Sequence, residues 1–426
     1  MESKPLAPKL RFPEFRDAPG WETKPLHSLA MVKQGGTPDT SNPEYWGGAI
    51  QWLTPAEMGK SNSPHISATD RTITETGLGN CSSELLPERS VIMSTRAPIG
   101  HLAINLTPMA INQGCRGLVP SVGVDTDFLY SSLLIAKPKL IDLGAGNTFK
   151  ELSGSALKMF QIPKPADYAE QKKIAGCLTS LDELIAAEGR KLEALRTHKK
   201  GLMQNLFPRE GETVPRLRFP EFRDAREWAP RELGPLTTKV GSGITPLGGD
   251  KNYKTNGRPF VRSQNVGWGE LLVDDIAHID EDTHRTFSAT EIKEGDVLLN
   301  ITGASIGRST IADARVVGGN VNQHVCIIRL KADEMHPALL SQFLISDRGQ
   351  EQIDSFQAGG NRQGLNFMQI RSFDIPTPPT EAEQRRIANC LSSLDALVSA
   401  QSRKLDILKL HKQGLMQGLF PSSEES

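Results

Sequence analysis

Three short segments carry residue types that could do chemistry, and each departs from the pattern that its reaction needs. Gly303–Ser309 has the glycines and hydroxyls of a phosphate-binding loop, but it is one residue short, and Arg308 stands where a lysine would reach the phosphates. Glu291–Lys293 has the Glu-x-Lys spacing of nuclease sites without a Pro-Asp partner at a suitable distance upstream. Asn42–Tyr45 differs from the Asn-Pro-Pro-Tyr motif of adenine methyltransferases because Glu44 replaces the second proline. We therefore predict no catalytic centre in this chain.

The cysteines, the histidines and the overall charge set further limits. The five cysteines form no Cys-x-x-Cys pair and no cluster with histidine at zinc spacing, and no pair of the nine histidines has helical ligand spacing. We therefore predict no bound metal, and free thiols that are buried or partly buried. Because the formal net charge is −1, nucleic-acid binding would require local positive charge or charge supplied by a partner.

Length and composition indicate a folded protein of two or more domains. The 426 residues are 38% hydrophobic and 23% charged, as in globular proteins. No apolar run reaches the length of a membrane span, and Met1–Lys9 lacks the apolar core of a signal peptide. We therefore expect a cytoplasmic protein without membrane contact.

Polar loops in two long stretches, 22–165 and 229–378, hold the candidates for ligand contact. They are rich in the side chains that contact base edges and phosphates, with arginine favouring guanine and asparagine or glutamine favouring adenine. The same residue types form ordinary turns, so DNA contact and turn formation both stay open for each. The candidates for DNA contact are Thr37, Tyr45, Arg96, Gln113, Asn147 and Lys150 in the first stretch, and Thr245, Arg262, Gln264, Asn265, Thr302, Ser305, Asn361 and Arg362 in the second.

The chain contains one pattern twice. Leu10–Ala18 recurs as Leu217–Ala225, and 25 of 40 positions are identical between 169–208 and 382–421. The two stretches between these shared blocks keep only short matching groups. This order predicts a duplicated fold in which shared positions are scaffold and differing positions are free to diverge.

The shared blocks at 166–208 and 379–421 predict long helices, because prolines bracket each block and are absent inside it. Apolar residues alternate at steps of four and three, which is the heptad seam of packed helices. The predicted seam residues are Ile174, Leu178, Leu181, Ile185, Leu192, Leu195 and Leu202 in the first block, and Ile387, Leu391, Leu394, Val398, Leu405, Leu408 and Leu415 in the second. Polar residues interrupt both seams at matching points, Glu188 with Gln401 and Lys199 with Lys412. They either fix the register of the pair or lie at the solvated edge of the contact.

The variable stretches are predicted to be mixed α/β. Apolar or β-branched runs at Arg89–Met93, Val297–Ile301 and Val325–Leu330 indicate strands. Thr126–Ala136 and Pro337–Ser346 indicate short helices.

The repeat also predicts how the parts are arranged. Two similar units are expected to pack about a pseudo-twofold axis, as identical subunits do, which makes the helices antiparallel. The expected fold class is α+β, with two mixed α/β domains separated by two long antiparallel coiled-coil helices. We divide the chain into an N-terminal arm packing near the C-terminal end (1–21), a first domain (22–165), a central helix (166–208), a connecting arm (209–228), a second domain (229–378), a C-terminal helix (379–421) and a polar tail (422–426).

Several motifs accompany this duplicated order. They are Leu-Arg-Phe-Pro-Glu-Phe with a following tryptophan, Gly36-Thr-Pro ahead of Tyr45-Trp46, Asp296-Val-Leu-Leu with Gly303-Ala-Ser-Ile-Gly307, Asn322-Gln323-His324-Val325, and the Ala-Glu-Gln start and Leu-Phe-Pro end of each shared block. On these motifs the chain resembles the specificity subunit of type I restriction–modification enzymes. The resemblance covers essentially the whole chain; single motifs are loose, and the duplicated order is specific.

The resemblance implies a division of labour between subunits. Each variable domain would be a target-recognition domain that reads one half of a bipartite, asymmetric site in double-stranded DNA. The chain would join two methyltransferase subunits, and restriction subunits in the full complex. It would bind no cofactor and catalyse no reaction itself. S-adenosylmethionine for adenine-N6 methylation, and ATP and Mg²⁺ for restriction, would belong to the partner subunits.

Two other interpretations stay open. The chain could be a protein-docking scaffold with two diverged binding modules, or a self-sufficient methyltransferase that binds its cofactor alone. Under the specificity-subunit interpretation, the helices act as a ruler for half-sites about one turn of DNA apart, ~34–36 Å. Specificity should then lie where the two copies differ.

Overall fold

The computed structural model describes residues 6–60, 63–96, 98–145, 151–246, 248–357 and 364–421. The chain forms two compact units, the first from Met1–Gly189 with Leu405–Ser426 and the second from Arg190–Lys404. Each unit contains one mixed α/β domain and a part of each long helix. We describe the units one at a time.

The first unit begins with the N-terminal arm and the first domain. Its elements are β1 Glu22–Pro25, α1 Leu26–Leu29, β2 Ala30–Gln34, β3 Trp46–Leu53, α2 Pro55–Lys60, β4 His65–Ile66, β5 Thr72–Ile73, α3 Glu75–Gly79, β6 Val91–Ser94, β7 Leu102–Asn105, β8 Met109–Ile111, β9 Cys115–Pro120, α4 Thr126–Ala145, α5 Gly154–Met159, β10 Gln161–Lys164 and the part of α6 Tyr168–Leu206 that precedes Arg190. The strands form a sheet in the order β2-β9-β6-β7-β4, a second sheet β5-β3-β8, and the pair β1-β10.

Helix α4 is longer than the segment 126–136 that the sequence predicted. It continues through Pro138 to Ala145, because Leu140 is buried in the same core as Leu129 and Leu133. This core also contains Val91 from β6. Packing therefore outweighs the local cost of a proline inside the helix.

The second unit repeats this plan. Its elements are β11 Ala229–Glu232, β12 Thr237–Ser242, β13 Arg258–Val261, β14 Ala277–Ile279, α7 Glu281–Thr286, β15 Val297–Asn300, β16 Ser309–Ile311, β17 Asn320–Val321, β18 Val325–Leu330, α8 Pro337–Leu344, α9 Asp347–Ser355, α10 Phe367–Arg371, β19 Asp374–Thr377 and the part of α11 Glu381–Leu419 that precedes Leu405. The sheets β12-β18-β15-β16, β14-β13-β17 and β11-β19 follow the order of the first domain, and none of the described residues of this domain forms a counterpart to β4. The predicted strands and short helices of both domains are present; apart from the C-terminal extension of α4, their ends differ by at most two residues.

The long helices are antiparallel within each unit, as predicted. In the first unit, Ile174 and Leu178 near the start of α6 pack with Leu419 at the end of α11. In the second unit, Leu206 at the end of α6 packs with Ile387 near the start of α11. All fourteen predicted seam residues are buried or half-buried. Both helices begin two residues later and end two residues earlier than the blocks from which they were predicted.

Two charge pairs cross between the helices. The Lys412 ammonium donates to the Asp182 carboxylate at 2.5 Å, and Lys199 donates to Asp395. The lysine side chains are 18% and 12% exposed, so both lie largely inside the contact. This placement favours register fixing for the two matched lysines, because Asp182 and Asp395 also occupy matching positions in the repeat.

A buried Arg–Glu–Trp cluster fastens each arm to the start of a long helix. Arg11 Nε donates to Glu170 Oε1 at 2.8 Å, and Trp21 Nε1 donates to the same oxygen at 3.2 Å. In the second unit Arg218 Nε donates to Glu383 at 2.7 Å, and Trp228 Nε1 donates to it at 3.2 Å. Both glutamates are at most 1% exposed. We call these the Glu170 clamp (Arg11, Trp21, Glu170) and the Glu383 clamp (Arg218, Trp228, Glu383).

The next residue of each shared block holds the variable domain. Gln171 accepts a hydrogen bond from the Asp125 backbone N–H, immediately before α4, at 3.1 Å. Gln384 accepts one from His336 N–H, immediately before α8, at 2.9 Å. The shared Glu-Gln dipeptide therefore joins arm, domain and helix at one point in each unit.

The arms also run beside the helix ends. Leu10 N–H donates to Gly418 O at 2.8 Å, and Leu217 N–H donates to Asn205 O at the same distance. All five cysteines are free and buried or half-buried, as predicted; burial raises the pKa of Cys326 to about 12. In the described part of the chain, no helix combines the length and apolar character that crossing a bilayer requires.

Candidate nucleic-acid interface

A tight turn after β8 organises the loops of the first domain. Asn112 Oδ1 accepts a hydrogen bond from Gly114 N–H at 2.8 Å, and Asn112 Nδ2 donates to Thr37 Oγ1 at 2.9 Å. A Cβ on Gly35 would lie 2.0 Å from Asn112 O, so the loop after β2 rests directly on this turn. Gln113 is exposed at its tip. We call this arrangement the Asn112 turn (112–114).

Arg96 is brought to the same turn from the end of β6. Thr95 N–H donates to Gly114 O at 2.8 Å, which places the following residue beside the turn. The Arg96 side chain is exposed, and its Nε lies 3.1 Å from a Glu151 carboxylate oxygen. Three predicted contact residues, Thr37, Arg96 and Gln113, are thus neighbours in space.

Tyr45 lies in a short 3₁₀ turn that follows the same loop. Asn42 accepts a hydrogen bond from Glu44 N–H at 3.0 Å, so the segment that departs from the methyltransferase motif forms a tight turn. Trp46 Nε1 donates to Asp39 O at 3.1 Å and closes the loop. Tyr45 itself is half-buried.

The second domain contains an equivalent turn built on Asn322. Asn322 Oδ1 accepts from His324 N–H at 3.0 Å, and a Cβ on Gly243 would lie 1.6 Å from Val321 O. The loop bearing Thr245 therefore rests on this Asn322 turn (322–324) as the Thr37 loop rests on the Asn112 turn. Both asparagines are internal to their turns, as expected for residues that the two copies share.

The side chains around the Asn322 turn differ from those in the first domain. Thr302 Oγ1 lies 2.6 Å from His324 Nδ1, and His324 stands where the first turn has Gly114, whereas Gln323 is exposed as Gln113 is. Ser305 is half-buried in a 3₁₀ turn between β15 and β16. Since β15 and β16 form an antiparallel hairpin, the segment 303–309 leads into a strand and not into the helix that follows a phosphate-binding loop.

Arg262, Gln264 and Asn265 occupy a turn after β13. Asn265 is 1% exposed; it accepts from Arg262 N–H at 2.9 Å and donates to Leu272 O at 2.8 Å. The buried Asn265 side chain therefore links the backbone of the turn to that of Leu272. Gln264 is exposed and donates to the Asp275 carboxylate. Arg262 lies over the Tyr253 ring, 5.3 Å from its centroid.

The other predicted contact residues, Asn147, Lys150, Asn361 and Arg362, lie outside the residues that the structure describes. DNA contact by any candidate therefore stays a prediction, and the exposed residues Arg96, Gln113 and Gln264 are better placed for it than buried Asn265. Among the described residues, no group of three or more His, Cys, Asp or Glu side chains could hold a metal.

Comparison with known protein families identifies the family to which the chain belongs. The type I restriction modification DNA specificity domain matches the chain twice, at residues 19–197 and 225–409. The chain belongs to this family. Its two matches coincide with the two copies of the repeat, so we refer to its variable domains as the first and second target-recognition domains.

Similar proteins agree with this assignment. The MjaIX specificity subunit of Methanocaldococcus jannaschii is 30% identical over 300 residues, 68% of each chain, and the MjaVIII specificity subunit of the same organism is 22% identical over 312 residues, 70% of each chain. The crystal structure of a type I restriction–modification S subunit from M. genitalium shares the fold, with a TM-score of 0.66, 17% identity and coverage of 98% of this chain and 100% of that one.

Sequence reasoning missed two kinds of residue in the specificity subunit. The acidic partners Asp182 and Asp395 lie off the apolar seam, and the matched lysines that interrupt the seam, Lys199 and Lys412, gave the only signal for them. Arg71 precedes the two-residue strand β5 and belongs to no motif, yet its guanidinium lies 3.5 Å from the centroid of the Trp46 ring. The spacing of Trp46 and Trp52 on one strand is the only sequence signal that an aromatic platform exists there.

Proposed function

We propose that each target-recognition domain reads one half of a bipartite, asymmetric DNA site, and that the two long helices set the spacing of the halves and dock methyltransferase subunits. The observation that carries this proposal is the pair of equivalent turns. The Asn112 turn and the Asn322 turn share a backbone scaffold but present different side chains, Arg96 in one and the Thr302–His324 pair in the other. Different side chains on one scaffold are what two domains need to read different sequences.

The chemistry of methylation belongs to partners in this proposal. Methyltransferase subunits would bind S-adenosylmethionine and methylate adenine N6, and restriction subunits would use ATP and Mg²⁺ in the full cytoplasmic complex. The specificity subunit would supply base and phosphate contacts. Its net charge of −1 suits a complex in which partners provide much of the positive charge around the DNA.

Base-resolved mapping of adenine methylation tests the division of labour. Cells carrying this subunit with its methyltransferase partner should show one bipartite motif, absent when either is removed. The purified complex should bind a duplex with that motif in a salt-sensitive manner, since phosphate contacts release counterions. A complex that binds all duplexes alike would contradict the proposal and favour the protein-docking scaffold.

The ruler role is tested by lengthening the helices. One added heptad in each helix, after Gly189 and after Ser402, keeps the apolar seam in phase and leaves each charge pair within its own unit. The addition is ~10.5 Å of helix, so the gap in the methylated motif should grow by about three base pairs, at 3.4 Å each. The matched control, an alanine substitution at Gly189 without insertion, should leave the gap unchanged. An unchanged gap between the half-sites in the lengthened variant would contradict the proposal that the helices set the spacing.

A further inference from the structure

The first target-recognition domain holds Arg71 on an aromatic platform. Its guanidinium carbon lies 3.5 Å from the Trp46 ring centroid. Trp46 packs edge-on against Trp52, with ring centroids 5.0 Å apart and an interplanar angle of 87°, and Trp52 is 3% exposed. The platform is therefore fixed to the domain core, and the cation–π contact restrains the arginine above it.

The guanidinium of Arg71 keeps its N–H groups free of hydrogen-bond partners among the residues that the structure describes. Arg71 is exposed, and no described residue accepts a hydrogen bond from its guanidinium or pairs with its charge. Arg96, by contrast, lies 3.1 Å from the Glu151 carboxylate. A guanidinium has five N–H donors in a planar fork, so Arg71 presents a pre-oriented set of donors to a ligand.

The platform lies against the loop that bears a predicted contact residue. Trp52 Nε1 donates to Gly36 O at 2.9 Å, and Trp46 Nε1 donates to Asp39 O at 3.1 Å. Thr37, which lies between Gly36 and Asp39 in the sequence, accepts a hydrogen bond from Asn112. Arg71 is therefore adjacent to the loop that rests on the Asn112 turn.

The second target-recognition domain also holds an arginine over an aromatic ring, at a different position, but the guanidinium of this arginine, Arg262, donates to Asp275 O at 2.7 Å as well. Arg262 lies 5.3 Å from the Tyr253 ring centroid, and Tyr253 packs on buried Phe260 at 5.5 Å. Phe260 is on β13 as Trp52 is on β3, each in the middle of a three-stranded sheet. The platforms correspond, but Arg262 follows the central strand whereas Arg71 precedes β5.

We propose that Arg71 is a specificity-determining residue that reads a guanine in the half-site of the first target-recognition domain. The fork of an arginine matches guanine O6 and N7 in the major groove, and the stacking on Trp46 lowers the entropy lost when both bonds form. The inference rests on the function proposed above and adds the base that one side chain recognises.

Competition binding with the purified complex of this subunit and its methyltransferase partner tests the assignment. The probes are the mapped duplex and variants in which each G·C pair of the half-sites is replaced singly by A·T. The wild-type complex should discriminate by about 5- to 150-fold at the pair that Arg71 reads. R71K keeps the charge but loses the fork, so discrimination should fall towards unity at that pair and persist everywhere else.

The matched control is R16K, because Arg16 is another exposed arginine of the first unit and lies away from the platform. R16K should retain the wild-type discrimination at every pair, and thermal unfolding of both variants should match the wild type. Unchanged discrimination in R71K overturns the assignment. So does an equal loss of affinity on all duplexes in R71A that R71K restores, because that pattern marks a phosphate contact. A wild-type complex that prefers no duplex overturns the proposed function itself, and Arg71 with it.

Discussion

In the first unit Arg11 and Trp21 donate to Glu170, and in the second Arg218 and Trp228 donate to Glu383, with corresponding Arg Nε–Glu distances of 2.8 and 2.7 Å. Around the Asn112 and Asn322 turns the two copies agree in backbone and disagree in side chains. The difference follows from burial. A buried ion pair whose carboxylate accepts from two different donors tolerates few substitutions, whereas an exposed loop fixed by one internal asparagine can display many different residues.

The largest effect should come from the clamps. In E383Q the carboxylate is lost while Arg218, whose side chain is 6% exposed, stays charged and buried. We expect the free energy of unfolding to fall by about 3–5 kcal/mol, measured by urea denaturation. E170Q should cost a similar amount, since the Glu170 clamp has the same bonds.

The control for the clamps is E221Q. Glu221 pairs with Arg386 at 3.2 Å, with both side chains about half exposed, so its loss should cost less than about 1 kcal/mol. A large loss of unfolding free energy in E383Q with little loss in E170Q would show that the two clamps are not equivalent, although their contacts look alike.

The next effect concerns the glycines beneath the recognition loops. G243A places a Cβ 1.6 Å from Val321 O, and G35A places one 2.0 Å from Asn112 O. Because the obstructing atoms are backbone, the loop must move, and we expect a loss of about 1–3 kcal/mol in thermal unfolding. G241A, two residues away with no atom within 4 Å of the added Cβ, should be near neutral. Similar unfolding curves for G243A and G241A would contradict the tight seating of this loop.

The long helices could be predicted closely because their signals are local. Proline brackets and the heptad pattern placed both ends within two residues. The partners of the seam lysines could not be predicted, since Lys412 and Asp182 are 230 residues apart and only the antiparallel register brings them together. The same limit applies to the candidate site. The sequence pattern named Arg262, Gln264 and Asn265 as polar-loop candidates for DNA contact, but it could not show that the Asn265 side chain is buried inside the turn.

The smallest effect separates the two charge pairs of the helices. The Asp395 side chain is 16% exposed and that of Asp182 is 31% exposed. When the partner lysine is removed, water can therefore hydrate the Asp395 carboxylate less than it can hydrate the Asp182 carboxylate. We expect K199M to lower the free energy of unfolding at pH 7 by about 1–3 kcal/mol, and K412M to lower it by less than about 1 kcal/mol.

The pH dependence of K199M gives the sharper test of this difference. Burial raises the pKa of Asp395, and Lys199 opposes that effect, so removing the lysine should raise the pKa further. A carboxyl with a pKa higher in the folded than in the unfolded state binds more protons when folded, and stability falls as pH rises between the two values. The deficit of K199M should therefore be complete above the folded-state pKa and shrink as pH falls through it, because neutral Asp395 needs no cation. Urea denaturation from pH 7 down to pH 4 measures this; a pH-independent deficit would mean that K199M acts through lost packing and that the two pairs do not differ in charge burial.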